Sequence, residues 1–225
     1  MLLVITTERI VIMAINAKCN SADLVLVGSF GCHPYMNPDW ISNNLLKGSS
    51  EQPVNININL DRMSLEPSFE ANANGVIINI SRSRLVIRRD PFSVEAFDEI
   101  ERIVQMLSEL LPHTACTAMG VNFGFVECNL SDGKGIIRPI DVLCVKGDGC
   151  PRSLSASYRL TDVDTLNIVM KQSSEEGSGC EISFNFDTRI IAKGIVPLIV
   201  AKNKLIERPM SECYKESLSV LGIEG

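Results

Sequence analysis

Histidine and cysteine are the residues that would first suggest nucleophilic or acid–base chemistry in this chain. It has only two histidines, His33 and His113, and eight cysteines. Cys32 and His33 are adjacent, but neighbouring residues of an extended segment point to opposite sides, so the pair does not by itself supply a nucleophile and its base. The pattern favours a loop thiol and a loop imidazole over a catalytic site.

Cysteine spacing also bears on metal binding. A structural zinc site typically uses two cysteines separated by two to four residues, together with a second such pair. The closest cysteines here are Cys144 and Cys150, and no second close pair accompanies them. No metal site is therefore predicted. Several cysteines lie within apolar periodic segments, which favours buried free thiols over a disulfide framework.

Residues 146–152 contain two cations and two glycines, a composition that suits an anion-binding loop. Phosphate loops use glycine because it lets backbone N–H groups converge, usually at the start of a helix. Neither the Walker spacing nor the dinucleotide-binding spacing is present, and no helical pattern follows. A turn is the favoured interpretation. Lys146 and Arg152 remain candidate anion-binding residues, and no cofactor is predicted.

Arginines are concentrated in one short segment, as Arg82, Arg84, Arg88 and Arg89. Arg82, Arg84 and Arg88 share parity, so they are expected to line one face of a strand pair unless a bulge intervenes. Arginine suits the recognition of carboxylates and phosphates, whereas RNA-binding sheets add exposed aromatic residues, which this segment lacks. Solvated charge at a sheet edge is the alternative interpretation.

Two carboxylate pairs come closest to an acid–base or metal-binding arrangement: Asp162 with Asp164, and Glu175 with Glu176. Asp162 and Asp164 would face the same way on a strand. No histidine or glycine-rich neighbour accompanies either pair. Turn and surface roles are therefore favoured over catalysis.

The overall composition is that of a globular protein, with 45% hydrophobic and 21% charged residues. The net charge is −6, and acidic residues outnumber basic ones in both halves of the chain, which disfavours nucleic-acid binding by bulk electrostatics. Glu8 and Arg9 interrupt the apolar N-terminal segment, which does not resemble a signal peptide. No stretch approaches the roughly 18 apolar residues of a membrane helix. A cytoplasmic protein without a membrane contact is predicted.

Alternation of apolar and polar residues predicts a mostly antiparallel sheet. The clearest case is residues 54–60, where Asn55, Asn57 and Asn59 alternate with apolar residues. Because asparagine is depleted from strands, this row predicts a solvated edge or an interface. Asn74 and Gly75 predict a hairpin turn. Further strands are expected over residues 10–17, 24–27, 76–80, 85–87, 119–125, 140–144, 154–160, 166–170 and 180–186.

Two principal helices are predicted, over about residues 94–111 and 209–221. Ser93 is the expected N-cap of the first helix, and Phe92 and Phe97 occupy the positions of a hydrophobic staple. An apolar stripe follows, and Pro112 ends the helix. A further short helix is expected over residues 39–46.

These elements indicate an α+β fold. Each half of the chain, residues 1–112 and residues 113–225, contains several strands followed by a helix. The halves are therefore predicted to be either two similar domains or parts of one continuous domain.

The preferred function is that of a non-enzymatic protein-binding protein, a subunit or accessory component of a larger intracellular assembly. Its contact surface would be the arginine segment and the polar strand faces. One alternative is an enzyme, or a small-ligand or nucleotide-binding protein, that uses Asp162, Asp164 or residues 146–152. Another is a nucleic-acid-binding protein that uses the arginine segment. Oligomer formation is compatible with all three.

Overall fold

The structure, a computed structural model, describes residues 14–30, 37–46, 54–60, 67–130, 153–172, 180–190 and 198–223. This part of the chain forms one antiparallel sheet of nine strands with α-helices packed against it, which confirms the α+β prediction. The strands are β1 (Ala14–Gly28), β2 (Asn55–Leu60), β3 (Pro67–Ala73), β4 (Val76–Ile80), β5 (Arg84–Arg89), β6 (Cys116–Leu130), β7 (Ser153–Arg159), β8 (Asp164–Gln172) and β9 (Cys180–Arg189). The helices are α1 (Pro38–Asn44), α2 (Phe97–Leu110), α3 (Leu198–Glu207) and α4 (Met210–Leu221).

The two longest strands, β1 and β6, pair with each other at the middle of the sheet. The order of strands across the sheet is β2-β3-β4-β5-β1-β6-β9-β8-β7. On either side of the central pair, strands that follow one another in sequence are also neighbours in the sheet. Short hairpin connections therefore account for most of the topology.

The hairpin predicted at Asn74 and Gly75 joins β3 to β4. Both residues have positive φ, 51° and 80° respectively, as a type I′ turn requires. Gly75 also has no room for a side chain, because a Cβ there would lie 2.5 Å from the Asp90 carbonyl oxygen. The turn sets the register in which Ala73 faces Val76 and Ala71 faces Ile78.

The core lies on one side of the sheet, between the strands and the helices. Alternate residues of the strands point to this side, and they form a single cluster with the buried residues of the helices. At its centre Phe123 of β6 contacts Phe97 of α2, Phe186 of β9 and Tyr214 of α4, with ring centroids 5.5–6.2 Å apart. Aromatic rings therefore hold α2 and α4 against the middle of the sheet.

The predicted helix over residues 94–111 divides into a 3₁₀ turn at Val94–Ala96 and helix α2. The staple is confirmed, since the rings of Phe92 and Phe97 lie 6.2 Å apart. The Ser93 cap is wrong in detail: Ser93 has extended backbone angles, but its hydroxyl donates to the Glu95 carboxylate and caps no backbone N–H. Glu95 lies close enough in sequence to compete for this hydroxyl.

The sequence prediction anticipated α1, α2 and α4 but not α3. Asn37 caps α1, where its side-chain oxygen accepts a hydrogen bond from the Trp40 backbone N–H at 2.9 Å. Helix α4 begins and ends within a residue of its prediction. None of the four described helices is long and apolar enough to cross a membrane.

Candidate binding face

All four described helices pack on one side of the sheet, and the side chains on the other side form what we call the open face. Val25 of β1 and Ile77 of β4 point to this side, and although each is 5% exposed, neither belongs to the core cluster. Most other open-face side chains are polar and at least partly exposed. A polar sheet face that no described helix covers is a candidate contact surface.

Five side chains form a continuous chain of hydrogen bonds across the open face. We call it the polar row: Asp23, Asn122, Asn185, Asn167 and Ser157, which lie on five neighbouring strands. The Ser157 hydroxyl donates to Asn167 at 2.6 Å, and the Asn167 amide donates to Asn185 at 2.9 Å. The Asn185 amide donates to Asn122, whose own amide donates to the Asp23 carboxylate at 2.5 Å. Every donor therefore points along the row towards Asp23.

The register of the sheet positions this row. Asp23 faces Asn122 in the β1–β6 pair, Asn122 faces Asn185 in the β6–β9 pair, and Asn185 faces Asn167 in the β8–β9 pair. Directly opposed side chains of neighbouring strands lie close enough for short polar groups to hydrogen bond. Gly120 leaves room beside the row, since a Cβ there would lie 3.2 Å from the Asn185 amide nitrogen.

Asp23 ends the row in a partly buried position between β5 and β6. Burial raises its pKa above the ordinary value, and the Asn122 amide and the Arg84 and Arg88 guanidinium groups offset this only in part. The folded protein therefore holds a proton on Asp23 at a higher pH than the unfolded chain does. Ionisation of the Asp23 carboxylate therefore lowers the free energy of unfolding.

The ionisation of Asp23 should lower the free energy of unfolding of the wild type as the pH rises, and Asp23→Asn should remove this contribution. The contribution of Asp23 is greatest below the unfolded pKa and is lost as the pH rises through the higher, folded pKa. The asparagine can still accept a hydrogen bond from Asn122. We therefore expect the stability of Asp23→Asn, relative to the wild type, to increase from about pH 4 to pH 7. Urea titrations of both proteins across this range measure it, and a constant or declining difference would contradict the assignment.

The structure separates the four candidate arginines. Arg84 and Arg88 lie on β5 with exposed side chains on the open face, as their shared parity predicts, and Arg88 faces Asp23 whereas Arg84 faces Val27. Arg82 lies in the turn before β5 and is exposed. Arg89 points to the other side, where its Nη1 lies 3.4 Å from Glu99 of α2. Arg89 therefore joins the strand to the helix layer rather than the open face.

Arg88 has a carboxylate neighbour on the open face, since its Nη2 lies 3.7 Å from Glu70 of β3. Its side chain is 49% exposed, so this pair contributes about 1 kcal/mol at most. Arg84 and Arg88 can thus be redirected to a partner at little cost.

Cations outnumber carboxylates among the described open-face residues, although the whole chain is acidic. The cations are Lys18, Arg84, Arg88, Arg159, Lys171 and Arg189, and the carboxylates are Asp23, Glu70, Glu181 and Asp187. None of the described open-face residues is aromatic. The open face is thus a mixed-charge surface rather than a uniformly basic one.

Other candidate residues from the sequence lie elsewhere. Asp162 and Asp164 do not share a strand face: Asp162 pairs with Arg159 in the β7–β8 turn at 2.7 Å, and Asp164 accepts hydrogen bonds from Thr161 and Thr188. Both carboxylates therefore hold the turn together. His113 is exposed after α2.

The remaining candidates are outside the described residues. These are Lys146 and Arg152 with the loop between them, Cys32 with His33, Cys144 with Cys150, and Glu175 with Glu176. Within the described ranges, no three histidine, cysteine or acidic side chains are grouped so as to hold a metal ion.

A shallow groove of about 200 Å³ lies between α2 and α3. Glu101 lines this groove, and its Oε1 accepts a hydrogen bond from the Met210 backbone N–H at 2.7 Å. This contact satisfies an N–H in the first turn of α4, where the helix dipole favours a carboxylate. Glu101 therefore has a structural role, which is to hold the start of α4 against α2. The open face is the stronger candidate surface.

Comparison with known proteins identifies no relative of this chain: no protein-family model, no curated protein and no solved structure matches it. The residues of the open face are therefore the basis for assigning its role.

The register between strands could not be read from the sequence, but Asn122, Asn167 and Asn185 share a feature that the sequence does contain. Each is a polar residue at an alternate position within an apolar strand pattern.

Proposed function

We propose that this chain is a non-enzymatic protein-binding protein, a subunit or accessory component of a larger cytoplasmic assembly, and that the open face is its contact surface. The polar row is the observation that carries the proposal. It presents an ordered set of amides on the side of the sheet away from every described helix. Arg84 and Arg88 border the row on β5.

Hydrogen-bonding capacity supports a partner at this surface. A carboxamide has two N–H donors and two acceptor lone pairs, of which the row uses one donor and one acceptor at each asparagine. The second N–H and the second lone pair of Asn122, Asn185 and Asn167 are available to groups of a bound molecule. Because the row already orders these side chains, binding would not have to immobilise them.

The charge pattern favours a protein over a nucleic acid. A phosphate backbone laid across the row would meet the carboxylates of Asp23 and Asp187, and like charges at an interface cost several kcal/mol. Single-stranded nucleic acids are usually held by stacking on aromatic residues, and the described open face has none. A protein surface with both acidic and basic groups would match the mixed charges of the open face.

We also propose that residues 1–112 and 113–225 are two similar halves of one continuous domain. Outwards from the centre of the sheet, the first half runs β1, β5, β4, β3 and then the additional edge strand β2, and the second runs β6, β9, β8, β7. A helix follows the last strand of each meander, α2 after β5 and α3 after β9. The paired central strands would then be equivalent, and a symmetric or repeated partner would fit the open face.

The proposal predicts that reversing the charge of Arg84 and Arg88 together, with R84E/R88E, reduces capture of the partner about tenfold or more. Tagged wild-type and variant chains are purified from the source cells under native conditions, and co-purifying proteins are quantified by mass spectrometry. Circular dichroism checks that the melting temperature changes by no more than about 2 °C. R84E/R88E both removes the arginine contacts and introduces carboxylates that Asp23 repels. The neutral variant R84Q/R88Q removes the contacts without adding carboxylates, so it separates the two effects.

Arg102→Glu is the matched control, because Arg102 is an exposed arginine of α2 in the helix layer. A partner that is lost with R84E/R88E and retained with Arg102→Glu supports the open face as the interface. Equal capture by all the variants would refute it. Co-purification of nucleic acid, with an affinity that falls steeply as salt is added, would replace the proposal with the nucleic-acid alternative.

A further inference from the structure

Two buried cysteines face each other across the β6–β9 pair. Cys128 of β6 is the register partner of Cys180, the first residue of β9. Opposed residues of an antiparallel pair have Cα atoms about 4.5–5.5 Å apart, and a disulfide requires about 4.4–6.8 Å. The backbone therefore holds these two residues at a spacing that a disulfide can bridge.

The two side chains also lie on the same side of the sheet and interact. Cys128 is 1% exposed and Cys180 is 8% exposed, and both belong to the core cluster. The Cys180 thiol donates to the Cys128 carbonyl oxygen at 3.3 Å. The Cys128 thiol donates to the Val126 carbonyl oxygen at 3.6 Å. Both thiols are free, as are Cys19, Cys116 and Cys213 among the described cysteines.

The remaining described cysteines lack such a partner in the strand register. Cys19 faces Phe125 and Cys116 faces Gly28 in the β1–β6 pair, and Cys213 lies on α4. Burial raises the pKa of Cys116 to about 11 and that of Cys213 to about 12. A thiol with a raised pKa is largely un-ionised at neutral pH and reacts slowly with oxidants. Neither their positions nor their raised pKa values therefore favour selective oxidation of Cys116 or Cys213.

Within the Cys128–Cys180 pair the two thiols are unequal. The neighbouring Cys128 side chain lowers the pKa of the Cys180 thiol against the opposing effect of burial. The neighbouring Cys180 side chain, together with burial, raises the pKa of Cys128. Cys180 is therefore the better nucleophile, and Cys128 is the thiol next to it that can close a disulfide.

We propose that Cys128 and Cys180 are a reversible oxidation site, at which a peroxide converts the two thiols into a disulfide that joins β6 to β9. The Cys180 thiolate attacks one oxygen of hydrogen peroxide, the O–O bond breaks, and a sulfenic acid forms as the other oxygen leaves as water after taking up a proton. The Cys128 sulfur then attacks the sulfenic sulfur, the S–S bond forms, and a second water leaves. Two thiols are oxidised and one peroxide is reduced to two waters.

The disulfide would act on the strands that carry the middle of the polar row. Asn122 and Asn185 lie on β6 and β9, a few residues from the cysteines. Between Phe125 and Cys128 the β6–β9 register is irregular, so the bonded strands are less regular at this end. A covalent link there would fix the end of the strand pair.

The test treats the purified full-length chain with hydrogen peroxide, blocks the remaining thiols with an alkylating reagent and digests it without reduction. We expect mass spectrometry to find a peptide containing Cys128 linked to one containing Cys180, at peroxide doses that leave Cys116 alkylated. Reduction with dithiothreitol should separate the two peptides. Full alkylation of Cys128 and Cys180 at those doses, or their linkage to other cysteines, would overturn the proposal.

Thermal unfolding provides a second readout. The oxidised wild type should melt about 5–10 °C above the reduced wild type, because the link restricts the unfolded chain. Cys128→Ser should abolish this shift. Cys116→Ser, which alters a buried cysteine at the other end of β6, should retain it. A shift that persists in Cys128→Ser would also overturn the assignment.

Discussion

Replacing Phe123 by alanine is expected to lower the free energy of unfolding by about 3–5 kcal/mol. The Phe123 side chain is 1% exposed and lies where α2, α4 and β9 meet on β6. Its removal would leave a cavity that Phe97 and Tyr214 cannot fill without moving their helices, because both rings also contact other parts of the core. The loss of buried apolar surface and the cost of the cavity therefore both lower the free energy of unfolding.

Leu110→Ala is the control for this prediction, since Leu110 is 45% exposed in the same helix layer. It should cost less than about 1 kcal/mol. Urea unfolding followed by circular dichroism measures both variants. A Phe123→Ala protein as stable as Leu110→Ala would mean that the aromatic cluster does not hold the helices on the sheet.

Local patterns were sufficient to predict most of the strands and the best helices. Residues 119–125 and 180–186 alternate cleanly, and they fall within β6 and β9. The reason is physical: each of these strands has one side in the core and one side on the open face, so period two is imposed on every residue. Helix α4 was recognisable in the same way from its buried stripe.

The edge strand β2 is a partial exception. Its alternation predicted one apolar face and one polar face, yet Ile56 and Ile58 of the apolar face are 38% and 70% exposed. β2 forms the end of the described strand order. The helix layer covers it less well than the central strands. The polar side is as predicted, since Asn55 and Asn57 are exposed.

The first strand and α3 show where local patterns fail. Two short strands were predicted where the structure has the single strand β1, because the polar residues between them interrupt the alternation. Pairing with β6 carries the strand through this stretch, and a register shift between Cys19 and Ser21 accommodates the extra Asn20. Helix α3 begins with Leu198, Ile199 and Val200, and such apolar and β-branched runs resemble a strand.

The candidate site was predictable only in part. The shared parity of Arg84 and Arg88 placed them on one face, because parity within a single strand is a local property. The polar row depends on pairings between residues about 10 to 100 positions apart, from Ser157 and Asn167 to Asp23 and Asn122. A change of one residue in any register would move an asparagine into the core. Only the assembled sheet therefore reveals the row.

Gly28→Ala is expected to lower the free energy of unfolding by about 3 kcal/mol, a large effect for a single methyl group. A Cβ at this position would overlap the Ala115 carbonyl oxygen and lie 3.1 Å from both the Ala115 carbonyl carbon and the Cys116 Cα. All three are backbone atoms, so no side-chain rotation can relieve the contact. The end of β1 would have to move away from the start of β6.

This movement would also disturb the open face. The Gly28 N–H donates to the Ser83 carbonyl oxygen at 2.9 Å, and Ser83 immediately precedes Arg84. The Ser29 N–H donates to the same Ala115 carbonyl oxygen at 3.0 Å that the new Cβ would meet. Both hydrogen bonds should weaken. We therefore expect Gly28→Ala to reduce partner capture as well as stability, although it removes no open-face side chain.

Gly124→Ala, in the same β1–β6 pair, is the matched control. The two tight contacts of a Cβ there are with the Ser21 Oγ at 2.4 Å and the Asn20 Oδ1 at 3.2 Å, which are side-chain atoms that can rotate away. Alanine in a strand also loses less conformational entropy on folding than glycine does, so the net change should be below about 1 kcal/mol. Denaturant titrations of Gly28→Ala and Gly124→Ala measure the two free energies of unfolding. Equal stabilities would show that the β1–β6 backbones can separate at Gly28 without loss, and the close approach would then be irrelevant to the position of Arg84.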